Sequence, residues 1–128
     1  MKVRILSPDR LVSDITTNEL LVPGSQGFMT ILPGHAKLVC ELGTGVLQVE
    51  PSSEGDKYFI AGGYLEVDSD DIAVIADVVE KREEIDVDRA KSSQGRAESR
   101  LSGSDGDVDL DRASKSLKRA EERIAFAT

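Results

Sequence analysis

The spacing of apolar residues changes period once along this chain, near Val79, and that change divides it into two structural parts. Before it, Val3 and Ile5 alternate with Lys2 and Arg4, the period-two pattern of a half-buried strand. Further short apolar runs follow at Leu11-Val12, Glu19–Val22, Phe28–Leu32, Leu38–Cys40, Val46–Val49, Tyr58–Ile60, Tyr64–Val67 and Ile72–Ile75. Turn residues separate them every eight to twelve positions, among them Ser7-Pro8-Asp9-Arg10, Pro23-Gly24 and Pro33-Gly34. Such spacing predicts an antiparallel sandwich or barrel. Gly43-Thr44-Gly45 and Gly62-Gly63 are expected at tight turns or bulges.

After Val79 the period is near 3.5, and the segment is written twice. Residues 86–101 align on 109–124 with 9 identities in 16 positions. Asp86-Val87-Asp88-Arg89-Ala90 matches Asp109-Leu110-Asp111-Arg112-Ala113, and Arg96–Leu101 matches Arg119–Ile124. Each copy predicts an amphipathic helix. One stripe is Val87, Ala90, Gln94, Ala97 and Leu101; the other is Leu110, Ala113, Leu117, Ala120, Ile124 and Ala127. Asp86 and Asp109 are well suited as N-caps, and Ser102-Gly103-Ser104-Asp105-Gly106 reads as the turn between the copies. An antiparallel hairpin follows. Its seam is mostly alanine, with Gln94 in the middle and helix-weakening Gly95 beside it. Short helices of this kind are marginal alone in water, so the hairpin is expected to open and close readily.

Charge divides at the same place. Residues 1–80 carry 5 basic and 13 acidic side chains, whereas residues 81–128 carry 11 of each. The net charge of −8 argues against nucleic acid as a partner. The single Cys40 lies in an apolar run and predicts a small packed hydrophobe, not a disulfide. Met1–Leu6 alternates charged and apolar residues and lacks the apolar run of a signal peptide. No apolar stretch reaches the roughly 20 residues needed to span a bilayer. The expectation is a soluble, cytoplasmic protein, at most peripheral to a membrane.

Four constellations bear on chemistry. Arg89, Arg96 and Arg100 lie on one flank of the first helix, and Arg112, Arg119 and Arg123 repeat them on the second. Guanidinium groups converging there suit a polyanion; pairing with Glu98, Glu121 and Glu122 one turn away is the alternative. Gly24-Ser25-Gln26-Gly27-Phe28 does not open onto a helix as a phosphate loop does, and reads as a hairpin turn. His35, the only histidine, has no nucleophile or second metal ligand near it in sequence. Asp68-Ser69-Asp70-Asp71 lacks the length and closing Glu of a calcium loop and reads as a solvated turn. No catalytic residue and no metal site emerges.

Several of these residues carry a family resemblance. Gly24–Ala36, reading GSQGFMTILPGHA, resembles a signature of the epsilon subunit of bacterial F-type ATP synthases. Leu6–Arg10 and Ala61–Val67 resemble the same family. Ile85–Leu101 is similar to the pattern [IL]DxxRAxxxxxRAxxRL, which forms an ATP-binding helix in some members. Lys37 stands where the family usually has Pro, and Gly95 where it has a helix former.

The resemblance implies an α+β fold: an N-terminal β-sandwich of about ten strands over residues 1–82, then a two-helix hairpin over 83–128. It implies a non-catalytic rotor-stalk subunit on the cytoplasmic face of a bacterial membrane, coupling proton flow to ATP synthesis. The sandwich would bind the gamma subunit and the c-ring, with Gln26, Gly27, Phe28 and His35 at or near the rotor contact. The tail would extend into the catalytic alpha/beta head and restrain ATP hydrolysis. It implies that no cofactor is required and that ATP would be a regulatory ligand, held in the folded tail by Glu80, Asp86, Arg89, Ala90, Arg96, Arg119 and Arg123. Two rival readings are a stand-alone nucleotide or anion sensor and a plain scaffold whose tail binds no nucleotide.

Overall fold

A computed structural model describes residues 1–103 and 109–128. Ser104, Asp105 and Gly106 of the expected interhelical turn lie outside the described residues. The chain divides into two compact units, Met1–Lys81 and Arg82–Thr128.

The first unit contains eight strands: β1 (Lys2–Ser7), β2 (Arg10–Thr16), β3 (Leu20–Gly24), β4 (Gly27–Ile31), β5 (Leu38–Glu41), β6 (Thr44–Val49), β7 (Lys57–Asp68) and β8 (Asp71–Glu80). They pair in the order β2-β1-β8-β7-β6-β3-β4, with β5 also on β7. All pairs are antiparallel except β1 on β8. The spacing of apolar runs suggests a break between Tyr58–Ile60 and Tyr64–Val67, but both belong to the one long β7.

Burial in β7 and β8 shows how a single sheet becomes two layers. In β7 the core receives Tyr58 and Ile60, then Leu65 and Val67. The inward side switches from even to odd positions across Gly62-Gly63. In β8 it receives Ile72, Val74 and Ala76, then Val79. Since side chains alternate strictly along a strand, such a switch turns the strand from one layer into the other. The two strands keep one register throughout, from Phe59 opposite Glu80 to Asp68 opposite Asp71. The corner therefore belongs to the ribbon as a whole.

Gly62 and Gly63 make the corner with φ of 71° and 107°, values that residues with a Cβ rarely adopt. A Cβ on Gly63 would also collide with the carbonyl oxygen of Ile75. Past the corner, β5 pairs with the second half of β7 and β6 with the first half. Each layer thus holds five strand segments. The eight strands supply ten segments because β7 and β8 serve both layers, which reconciles the count with the expected ten.

Between the layers lies a core of Val, Ile and Leu with Val3, Ile5, Leu20, Val22, Ile31 and Leu47 wholly buried. Met29, Leu38 and Cys40 pack partly against it. Burial raises the Cys40 thiol above its ordinary pKa, which keeps it protonated and unreactive near neutrality.

The second unit contains α1 (Val87–Leu101) and α2 (Leu110–Ala127). Both expected caps are present: Asp86 accepts from the Arg89 N–H at 3.0 Å, and Asp109 from the Arg112 N–H at 3.1 Å. Gly103, at φ 81°, ends α1. A 3-10 turn at Arg82–Glu84 lies against the far end of α2, so the helices run antiparallel. There Arg82 Nε donates to the Phe126 carbonyl at 2.8 Å, and its guanidinium lies 4.8 Å from the Phe126 ring centre. A cation at a helix C-terminus meets the negative end of the helix dipole.

Buried helix positions are Ala90, Ala97, Ala113, Ala120 and Phe126. The expected stripe placed Leu110 in the seam, but it is exposed. It is the first residue of α2 and follows the cap. Among the described residues no helix is long and apolar enough to cross a membrane.

Two measurements test these assignments. Gly63→Ala should destabilise the chain by about 1–3 kcal/mol in urea denaturation, from backbone strain at positive φ. Arg82→Ala should speed amide exchange in the last turn of α2 while leaving exchange in β1–β8 unchanged.

Candidate functional site

A concentration of positive charge lies in the hairpin. Ser93, Arg96, Ala97 and Arg100 fall at i, i+3, i+4 and i+7 of α1, and so share one face. Ser116, Arg119, Ala120 and Arg123 do the same on α2. These eight residues line a cleft of about 210 Å³. Each residue from α1 is the repeat partner of one from α2, 23 positions on. Two antiparallel copies of one helix are related by a local twofold axis, so the sequence repeat becomes a cleft with matched halves.

For three of the four cleft arginines the alternative pairing does not form. Among the described residues no carboxylate pairs with Arg96, Arg100 or Arg119; an ion pair that does form one turn apart is Lys115–Asp111 at 3.2 Å. Arg96 donates instead to Ser93 Oγ at 3.0 Å, which aims the guanidinium along the cleft wall. Arg123 has an interaction of its own in the structure and still lines the cleft. The alanines at the base keep the helices close without occupying the space between the arginines.

The other residues expected at a nucleotide site are placed differently. Arg89 is exposed and lies roughly 10 Å along the helix from Arg96, at 1.5 Å per residue. Ala90 is buried in the seam. The Asp86 carboxylate is occupied in capping α1. Glu80 ends β8 and belongs to the first unit. The structure therefore brings Arg96, Arg119 and Arg123 together and adds Arg100, Ser93 and Ser116. Arg100 was named on the arginine flank but not among the expected ligands; the offset-23 repeat was the signal, because Arg100 is the partner of Arg123.

The expected rotor loop is a true hairpin. Gly24 pairs with Gly27 around Ser25-Gln26, and Phe28 stands out 61% exposed. Close to this turn the Ser25 N–H donates to the Glu41 carbonyl at 2.9 Å. His35 lies at the other end of β5. Its N–H donates to the Leu32 carbonyl at 3.2 Å, and its Nδ1 lies 2.7 Å from the Ala36 carbonyl oxygen. The neighbouring Gly34 N–H reaches Asp70 at 3.3 Å, and Lys37 reaches Asp68 at 3.7 Å. The four residues thus sit at two places, towards opposite ends of β5.

On the outer face of the sheet that joins β2, β1, β8 and β7, cross-strand partners form an apolar row. Leu11 pairs with Leu6, Leu6 with Ile75, and Ile75 with Tyr64. Leu11, Ile75 and Tyr64 are each more than two-fifths exposed, and Val39 on β5 is exposed nearby.

Known proteins match both units. The family model for the ATP synthase delta/epsilon chain β-sandwich domain matches residues 1–82. The model for its long α-helix domain matches residues 83–128. An ATP synthase epsilon chain of Synechococcus elongatus is 36% identical over 103 residues, 80% of this chain and 75% of that one. That of Koribacter versatilis is 39% identical over 100 residues, 78% and 70% of the two chains. Among solved structures, a chain of the Euglena gracilis mitochondrial ATP synthase superposes with a TM-score of 0.80 at 21% identity, covering 98% of this chain and 80% of that one. A chain of the Tetrahymena thermophila mitochondrial ATP synthase superposes at 0.64 and 17% identity, covering 99% and 96%. At these identities the superpositions show a shared fold.

Gly95 offers a direct test of hairpin stability. A Cβ there would meet nothing within 4 Å. Gly95→Ala should therefore stabilise α1 by about 0.5–1 kcal/mol, read as a higher melting temperature of the helical signal in circular dichroism.

Proposed function

The chain belongs to the ATP synthase delta/epsilon family, and from that premise we propose that it is a central-stalk subunit whose tail senses ATP and restrains ATP hydrolysis. It is a non-catalytic accessory chain of the synthase complex. In the proposed assignment the first unit binds the gamma subunit and the c-ring on the cytoplasmic face of a bacterial membrane. The exposed row of Leu11, Ile75 and Tyr64 supports a protein partner, because such apolar rows on a sheet face mark interaction surfaces. Exposed Phe28 at the β3–β4 turn supports a second contact, with the rotor.

The observation that carries the regulatory part is the cleft of four arginines between two weakly joined helices. Burying one methyl group stabilises by about 0.8 kcal/mol, so a seam of Ala90, Ala97, Ala113 and Ala120 holds by a few kcal/mol. Four like charges gathered over that seam oppose closure. An anion between them removes the repulsion and favours the closed hairpin. A tenfold preference of ATP for the closed form contributes about 1.4 kcal/mol, enough to move a marginal equilibrium. With ATP absent, the opened tail carries its arginines to the alpha/beta head and blocks hydrolysis.

Two experiments test this reading. The full chain should co-purify with a membrane ATPase containing gamma and c-ring subunits, and a chain ending at residue 82 should raise ATP hydrolysis by that complex. Recovery of the chain solely as a free monomer would favour the sensor alternative. ATP should bind the isolated chain in calorimetry. Arg119→Ala should weaken it at least about tenfold, since a hydrogen bond to a charged group is worth roughly 1.5–3 kcal/mol. Absence of binding at millimolar ATP would remove the ligand and leave the stalk assignment.

A further inference from the structure

A seam of alanines beside four arginines holds α2 to α1 only weakly. We propose that Arg82 and Phe126 form a latch that sets how often α2 leaves α1. Its effect on hydrolysis rests on the opening tail of the proposed function; the latch itself rests on the hairpin alone.

The pair lies outside the repeat. The matched copies end at Leu101 and Ile124, and the same offset matches Phe126 to Gly103, the glycine that ends α1. Arg82 comes before Asp86, where the first copy begins. Phe126 is the only aromatic residue of the second unit. A hairpin with matched halves therefore carries an aromatic clasp at one end alone.

Phe126 also stands off the seam. At about 100° per residue it lies about 120° round α2 from the stripe of Ala113 and Ala120. All three are buried, so α2 is held on two faces. Each seam alanine buries one methyl group, and a buried phenylalanine contributes roughly two to four times as much.

Arg82 grips Phe126 at two points. Its Nε donates to the Phe126 carbonyl at 2.8 Å, and its guanidinium lies 4.8 Å from the ring centre, within the range of about 6 Å over which an aromatic face attracts a cation. The carbonyls of a last helical turn have no partner within the helix. The last turn of α2 has no basic residue of its own, so Arg82 supplies the cation that the helix end favours. Arg82 is in turn fixed at the root of α1. The Ile85 N–H donates to its carbonyl at 3.3 Å, and Asp86 caps the helix that follows.

Position makes this contact a latch. At its start α2 is joined to α1 through residues 102–109 of the chain. At its end the hold is the contact between Arg82 and Phe126, 44 residues apart. Separation therefore starts at Phe126, and breaking one contact frees a whole helix from a weak seam.

The test is amide exchange in the full chain, paired with hydrolysis by the assembled ATPase. Arg82→Ala should raise exchange across α2, from Ala113 to Arg123, by about tenfold, because a charged hydrogen bond and a cation–π contact are both lost. Arg82→Lys, which keeps the cation but loses the planar fork, should raise it less. Phe126→Ala should raise it at least as far as Arg82→Ala. The double variant should go no further than Phe126→Ala, since the two residues make one contact. Lys115→Ala, which breaks the exposed pair with Asp111 on α2, should leave exchange unchanged. Acceleration confined to residues 124–127 describes a frayed end and overturns the latch. So does an additive double variant, an equal effect of Lys115→Ala, or equal acceleration in β1–β8. In the assembled ATPase, Arg82→Ala should lower hydrolysis severalfold at a fixed ATP concentration, because more tails are open. Faster exchange across α2 with unchanged hydrolysis upholds the latch and removes the inhibitory role of the tail. Lower hydrolysis with unchanged exchange overturns the latch and leaves that role standing.

Discussion

The corner at Gly62-Gly63 is the constraint on which the first unit depends. An eight-stranded sheet that stayed flat would leave its apolar side in water. By switching which side of β7 and β8 faces inward, the corner closes the sheet on itself and lets Tyr58 and Ile60 meet the same core as Leu65 and Val67. Two consequences follow. β5 and β6 end up on different layers although they are separated by only Leu42 and Gly43. The β3–β4 turn and the His35 loop come to lie at opposite ends of β5. The surfaces available to partners are therefore set by a backbone feature that no side chain could replace, since a Cβ at Gly63 would strike the neighbouring strand.

The second unit obeys the opposite logic. Its seam is made of the smallest apolar side chains, and its charge is placed beside the seam instead of away from it. Alanine lets the two backbones approach, which gathers the arginines, while contributing little to hold them together. Weak closure and high local charge are thus products of one choice of residue. A hairpin sealed by leucines would be firmer, but would hold its arginines further apart. Arg82 and Phe126 fasten the end of this hairpin where α1 begins and α2 finishes.

Much of this was legible from residue patterns. Alternation at Val3 and Ile5, the turn at Ser25-Gln26, the caps Asp86 and Asp109 and the two helices all follow from local chemistry, because each is decided within a few residues. Gly62-Gly63 was recognisable as a turn or bulge, but its role in passing one strand between two layers was not. That role depends on β8 running beside it over the whole length. Leu110 fitted the helical stripe yet is exposed, because a period describes a direction and not whether anything lies there.

The arginine site shows the same division. The repeat, read from the sequence by itself, determined that both helices carry Ser, Arg, Ala and Arg at matching positions, since helical spacing places them on one face. Which of the arginines meet was decided only by the antiparallel pairing. That pairing put Arg96, Arg100, Arg119 and Arg123 around one cleft and left Arg89 outside it. Local periodicity fixes the face on which a side chain stands; only packing between distant segments brings two such faces together, and a binding site is made by that second step.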